Sequence, residues 1–221
     1  MIKAVLFDLE GTVTDTEQFN HRGYAYAAEQ IGVEMDMAEV LVTVTGMNYH
    51  DIGLYLREKY GADFPYERYM EIRKEYIDRQ VRLYCIPLKA GVPKVLDDLR
   101  DLGYTVVLVS STGIVRVNEF LAPIGGSARF DAVIAGDSVA HSKPAPDIYL
   151  RAAQKLGVAP SECAVIEDSR NGILAGYRAG MKVVMVPDRF PCTKELEGML
   201  WHCIGSLEEL VPLIQSEGCK S

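Results

Sequence analysis

The chain predicts an α/β fold, a doubly wound parallel sheet with an all-helical segment inserted after the first strand. Two observations carry this. Short apolar, β-rich runs recur at 4–7, 104–109, 163–166 and 183–186, and after a turn each of the first three gives way to helical spacing. Repeated βα units of this length build a parallel sheet. Between Thr16 and Tyr84, by contrast, no strand pattern occurs, and apolar residues recur three and four apart.

Taken in order, residues 3–8 form a first strand ending at Asp8. Phe19, Tyr24, Ala27, Ala28 and Ile31 mark a helix closed by Gly32, and 51–60 and 66–84 continue the helical texture. A helix over 92–102 opens with Pro93 in its first turn and stops at Gly103. The second strand runs into Ser110, and a helix follows to about Pro123. Residues 130–135 form a third strand, 148–156 a helix, 163–166 a fourth strand ending at Glu167-Asp168, and 171–179 a helix. The fifth strand is 183–186, and 201–204 is a short edge strand. Thr193 stands where it would N-cap a short helix. The division is a core of 1–15 and 85–221 with an inserted helical unit of 16–84, a normal size for a small domain.

Over 221 residues, 48% are hydrophobic, enough for a sizeable core. A net charge of −8 and the absence of any Lys/Arg run argue against a nucleic-acid partner. Five scattered cysteines (Cys85, Cys163, Cys192, Cys203, Cys219) with no C-x-x-C pair argue against a disulfide framework. No signal-peptide pattern and no run of about 18 apolar residues occurs, so the expectation is a cytoplasmic protein without a membrane partner, monomeric or weakly dimeric.

The polar residues that carry chemistry collect at strand ends. Asp8 and Glu10 follow the first strand, Ser110, Ser111 and Thr112 the second, and Glu167 and Asp168 the fourth, while Lys143 precedes a helix. In a parallel sheet these ends share one edge, where such folds bind ligands. Clustered carboxylates repel unless a cation compensates. Oxygen ligands on loops suit Mg²⁺, which shares its coordination with water and phosphate. Hydroxyls, backbone N–H groups around 111–113 and the Lys143 ammonium are donors to phosphate oxygens. The composite reads as Mg²⁺-assisted phosphoryl chemistry on a small phosphorylated metabolite, with an aspartate nucleophile.

Four motifs stand in order: Asp8-Leu9-Glu10-Gly11-Thr12, Ser110 after its strand, Ser142-Lys143-Pro144-Ala145-Pro146-Asp147, and Ile166-Glu167-Asp168-Ser169. In these the chain resembles the haloacid dehalogenase superfamily, in the subgroup of β-phosphoglucomutase and small phosphosugar phosphatases. The resemblance implies a Rossmann-like core and a helical cap that closes on hinges near Asp15 and Ile86. It implies Asp8 as nucleophile, residue 10 as general acid and then base, and Ser110 and Lys143 as phosphoryl-binding groups. It further implies that Asp8, the Glu10 carbonyl and Asp168 bind Mg²⁺, with Glu167 assisting through water.

One residue departs from that pattern. The family's phosphatases and mutases carry Asp where this chain has Glu10. The acidities differ by only about 0.4 pKa units, but the side chain is about 1.5 Å longer. A misplacement of ~1 Å can slow a reaction about 100-fold, so turnover should be slower than an aspartate would give. The segment 43–49 resembles the family's cap specificity loop, with Gly46 and Asn48 as substrate contacts beside Ser111 and Thr112. Its flanks Thr45, Asn48 and Tyr49 are neutral, and Asn20 stands where the mutase has a histidine. That favours hydrolysis of a monophosphate over a mutase working through a bisphosphate. A third alternative is a weakly catalytic protein that retains a phosphorylated ligand. Arg73 and Lys74 could reach inward from their helix, though a solvated helix face is the favoured reading, and Tyr24, Tyr26, Tyr55 and Tyr69 read as packing. His50, His141 and His202 have no metal-ligand spacing, and Trp201 reads as packing.

Overall fold

A computed structural model describes residues 1–84, 86–122 and 125–218. Strands β1 (Ala4–Phe7), β2 (Thr105–Ser110), β3 (Ala132–Ala135), β4 (Cys163–Glu167), β5 (Lys182–Met185) and β6 (His202–Cys203) form one sheet. All pairings are parallel, in the order β3-β2-β1-β4-β5-β6. The direction of strand addition reverses beside β1, which makes the carboxyl end of β1 the natural ligand crevice.

The sheet's composition follows from burial on both faces. Every residue of β1 is buried, and alternate residues serve opposite layers. Val5 and Phe7 join Val95, Leu99 and Phe120, from α5 (Val92–Asp101) and α6 (Ile114–Leu121). Ala4 and Leu6 join Tyr149, Ala152 and Ala175, from α7 (Asp147–Leu156) and α8 (Arg170–Arg178). Burying each of these large apolar side chains contributes about 1.5–3 kcal/mol. The short α9 (Lys194–Glu197) leads to β6, and α10 (Leu210–Gly218) packs its Leu210 and Ile214 into the first layer.

Between β1 and α5 the chain forms four consecutive helices: α1 (Glu17–Ile31), α2 (Met37–Val44), α3 (Tyr49–Tyr60) and α4 (Tyr66–Tyr84). They have their own apolar cluster, in which Tyr24, Ala27, Val40, Leu56 and Tyr69 are buried together. Helix α1 ends on Gly32 in the left-handed region, as its position predicts.

Several details differ from the sequence reading. Helix α2 is not apparent in a segment rich in valine and threonine, residues of weak helix propensity. It forms because the Asp36 side chain accepts hydrogen bonds from the Ala38 and Glu39 N–H groups, each at 3.1 Å, and Val40 and Val44 are buried. Strand β3 is two residues shorter, since the Asp131 side chain accepts from the Val106 N–H at 2.8 Å at the end of the ladder. Thr193 occupies the N-cap of α9, but its hydroxyl makes no capping bond. Trp201 is half-buried against the first layer, with the Lys182 ammonium 4.3 Å from its ring centre. His141 pairs with Asp147 at 2.8 Å. Cys85, Cys219 and Pro123, the expected end of α6, lie outside the described residues. No helix among the described residues is long and apolar enough to cross a membrane.

Candidate active site

The carboxyl ends of β1 and β4 bring one ammonium into a group of acids. Lys143 is completely buried, and its Nζ donates to Asp8 Oδ1 and, at 2.7 Å, to Glu167 Oε1. Tyr149, on α7, donates its hydroxyl to the same Glu167 oxygen at 2.9 Å. Glu167 Oε2 accepts from the N–H groups of Asp168 and Ser169, each at 3.1 Å, and from Ser169 Oγ at 2.9 Å. These five donors exceed the roughly four lone-pair sites of one carboxylate, so some of the bonds are shared. Glu167 is therefore fixed as the anchor of Lys143 and of the turn into α8. The turn requires glycine at 172, because a Cβ there would lie 1.7 Å from Glu167 Oε1.

The electrostatics follow from the count of charges. Asp8, Glu167 and Asp168 set three buried carboxylates against the single ammonium, an excess of negative charge in one small volume. Burial raises the Asp8 carboxyl well above its ordinary range, the Lys143 charge opposes this, and Glu167 and Glu10 add to it. Burial alone would lower the Lys143 ammonium, but Asp8 and Glu167 hold it well above its usual range.

The acids fit a hard divalent cation. Asp8, Glu167 and Asp168 each offer a carboxylate oxygen, and these atoms lie within 4.8 Å of one another. Thr12 Oγ1 donates to Asp168 Oδ1 at 3.2 Å. Gly11, with φ of 89°, leaves open the space beside Asp168, where a Cβ would stand 2.2 Å from Oδ2. The Glu10 side chain is not in this group. Both oxygens of Glu167 also accept hydrogen bonds from protein donors.

Glu10 instead faces the helical unit. Its Oε2 accepts from Thr112 Oγ1 at 2.6 Å, and its Oε1 accepts from Asn20 Nδ2 at 2.9 Å. Asn20 Oδ1 in turn accepts from Arg73 Nη2 at 3.0 Å. A chain of hydrogen bonds thus runs from the end of β1 through α1 to α4. Glu10 and Thr112 also line a cavity of about 310 Å³ between the helical unit and the sheet, with Gly46, Asn48 and Ser111. Asp8, Ser110 and Lys143 do not line it, so Glu10 belongs to both the buried charges and the cavity. Ser110 is buried, and its Oγ accepts from the Thr112 N–H at 3.1 Å.

The helical unit is closed over this edge. Ser111 Oγ donates to the Gly46 carbonyl at 2.7 Å, and Asn171 Nδ2 donates to the Thr43 and Thr45 carbonyls at 2.9 and 2.7 Å. Asn48 caps α3, its Oδ1 accepting from the Asp51 N–H at 2.9 Å, while the residue also lines the cavity. Arg73 is not a solvated residue. It is half-buried, its guanidinium lies 4.0 Å from the Tyr24 ring centre, and it lines the cavity. Lys74 is exposed and paired with Asp78 at 2.7 Å, though it too borders the cavity. Tyr24 packs in the helical cluster as expected, but also forms part of the cavity wall. Tyr149, Asn171 and Arg116 carry no sequence signal, because each acquires its partner only by packing.

A profile of the haloacid dehalogenase-like hydrolase family matches residues 5–186. The chain belongs to that family. It is similar to YhcW of Bacillus subtilis, 34% identical over 200 residues that cover 89% of each chain. It is 31% identical over 183 residues to the fructose-1-phosphate phosphatase YqaB of Escherichia coli, covering 82% of this chain and 95% of the other. CbbY of Rhodobacter sphaeroides, solved in complex with xylulose-(1,5)bisphosphate, has a TM-score of 0.78 and 27% identity, with 95% and 96% of the two chains covered. Within the family, the chain is a phosphoric monoester hydrolase.

Proposed function

We propose that the protein is a Mg²⁺-dependent phosphatase of small phosphorylated metabolites, sugar phosphates foremost, acting through a phosphorylated Asp8. The observation that carries this reading is the Asp8–Lys143–Glu167 group at the carboxyl end of β1, beside Asp168 and beneath a closed helical cap.

Asp8 Oδ attacks phosphorus, and the bond from phosphorus to the substrate oxygen breaks as Glu10 donates a proton to that oxygen. Glu10, now a carboxylate, takes a proton from water as the water oxygen attacks the acyl phosphate. Phosphate leaves and Asp8 is restored. Lys143, held by Glu167, draws negative charge from Asp8 and the transferring phosphoryl, while Ser110 and the N–H groups after β2 orient its oxygens. Asp8, Asp168 and the Glu10 carbonyl would hold Mg²⁺, which when bound neutralises the charge of the phosphate. The cap excludes bulk water and, through Asn20, orients the Glu10 carboxyl.

A hydrolysis screen over sugar and nucleoside monophosphates, with Mg²⁺ or with a chelator, tests the reading. Hydrolysis that needs Mg²⁺ and is lost in Asp8→Asn supports it. Equal activity in Asp8→Asn removes the covalent route.

A further inference from the structure

The neutral loop at 43–49 leaves the cavity without an obvious second anion clamp in sequence, yet its wall is cationic. Arg73 and Lys74 from α4 and Arg116 from α6 all line it, against the single lining carboxylate of Glu10 among the described residues. The three cations are not equivalent. Lys74 and Arg116 are both bonded to Asp78, and Arg116 also pairs with Glu119 at 2.7 Å. Arg73 has no carboxylate within 4.0 Å among the described residues. Its one hydrogen bond is to the Asn20 side chain, and its Nε–H is buried without an acceptor. A guanidinium presents five donors in a planar fork suited to carboxylate or phosphate, and this one uses few of them.

From this geometry we infer that Arg73 holds a second anionic group of the substrate, remote from the phosphoryl that is transferred, so the preferred substrates are sugar phosphates with a further phosphate or carboxylate. The inference rests on the phosphatase reading for the first phosphate. The second anion pairs with an otherwise uncompensated cation in a partly desolvated wall, where a charge-assisted hydrogen bond is strong. Arg73 also reaches Glu10 through Asn20. Occupation of the distal site is thereby linked to the position of the group that protonates the leaving oxygen.

The test is calorimetric titration of Asp8→Asn with fructose 1-phosphate and with fructose 1,6-bisphosphate in Mg²⁺, with and without Arg73→Met and Arg73→Lys. The expected result is about tenfold tighter binding of the bisphosphate, a preference erased by Arg73→Met and partly kept by Arg73→Lys. No preference at the outset, or equal weakening of both ligands by Arg73→Met, overturns the inference and leaves Arg73 a support for Asn20. Hydrolysis by the wild-type protein is measured in parallel. The preference without turnover of either ligand upholds the anion site and removes the phosphatase reading. Turnover without preference does the reverse.

Discussion

The charges at the end of the sheet and those of the cavity wall are managed in opposite ways. Beneath the cap, Lys143 and Glu167 are completely buried, and every charged atom between them is matched to a donor or acceptor. In the wall, Lys74 and Arg116 remain partly solvated, and both pair with Asp78 in partly solvated ion pairs. Buried charges demand complete and rigid partnership, because an unpaired one cannot be screened. Partly hydrated charges tolerate loss or exchange. Chemistry is therefore built into the first region, and the second is where ligand preference can change without unfolding the site.

Four substitutions would break or sharpen that contrast. The largest effect is expected for Lys143→Met, which leaves Asp8 and Glu167 buried without their cation. Stability in chelator should fall by about 3–5 kcal/mol in denaturant titrations, with activity reduced at least ~100-fold. Unchanged stability would mean that the acids protonate at no cost. Gly172→Ala comes next, since its Cβ overlaps the Glu167 carboxylate. A loss of about 1–3 kcal/mol is expected, with a fall in turnover as Lys143 loses its anchor. Normal turnover would show that Glu167 need not hold this position.

Glu10→Asp acts at the boundary between the regions. It shortens the acid by about 1.5 Å and should raise the turnover number, by up to ~100-fold. Unchanged or lower turnover would mean that the bonds from Thr112 and Asn20 define the productive place of the longer side chain. The smallest effect belongs to Asp78→Asn, at the partner of the wall residues Lys74 and Arg116, about 0.2–1 kcal/mol. Burial pushes the Asp78 carboxyl up, but Lys74 and Arg116 outweigh it and hold it below its usual range. A carboxyl with a lowered folded pKa adds stability above its unfolded value and loses it as pH falls through the folded value. The cap–core pair with Arg116 should thus weaken only in acid below about pH 4, and Asp78→Asn should flatten that part of the pH–stability curve.

Legibility divides along the same line. Asp8, Ser110, Glu167 and Asp168 could be read because a parallel sheet brings all its strand ends to one edge, whatever the side chains between them do. Lys143 was legible only through its motif, since it precedes a helix rather than following a strand. Helix α2 escaped notice because a side-chain cap and burial override the propensities of its valines. The inward place of Arg73 was the less favoured of two readings for a related reason. Its position on α4 fits a polar face equally well, and only packing against α1 turns that face toward Tyr24 and Asn20.

Periodicity and strand ends in the sequence alone thus determined the α/β order, the helical insert and the identity of the charged residues at the sheet edge, because these depend on local patterns and on the handedness of βα units. Tertiary structure alone decided that Glu167 accepts from five donors, that Glu10 is tied to the cap, and that an arginine with no carboxylate partner among the described residues faces the cavity. Each of these rests on distances between segments remote in the chain, and such distances are set by how two hydrophobic clusters pack against each other rather than by any local pattern.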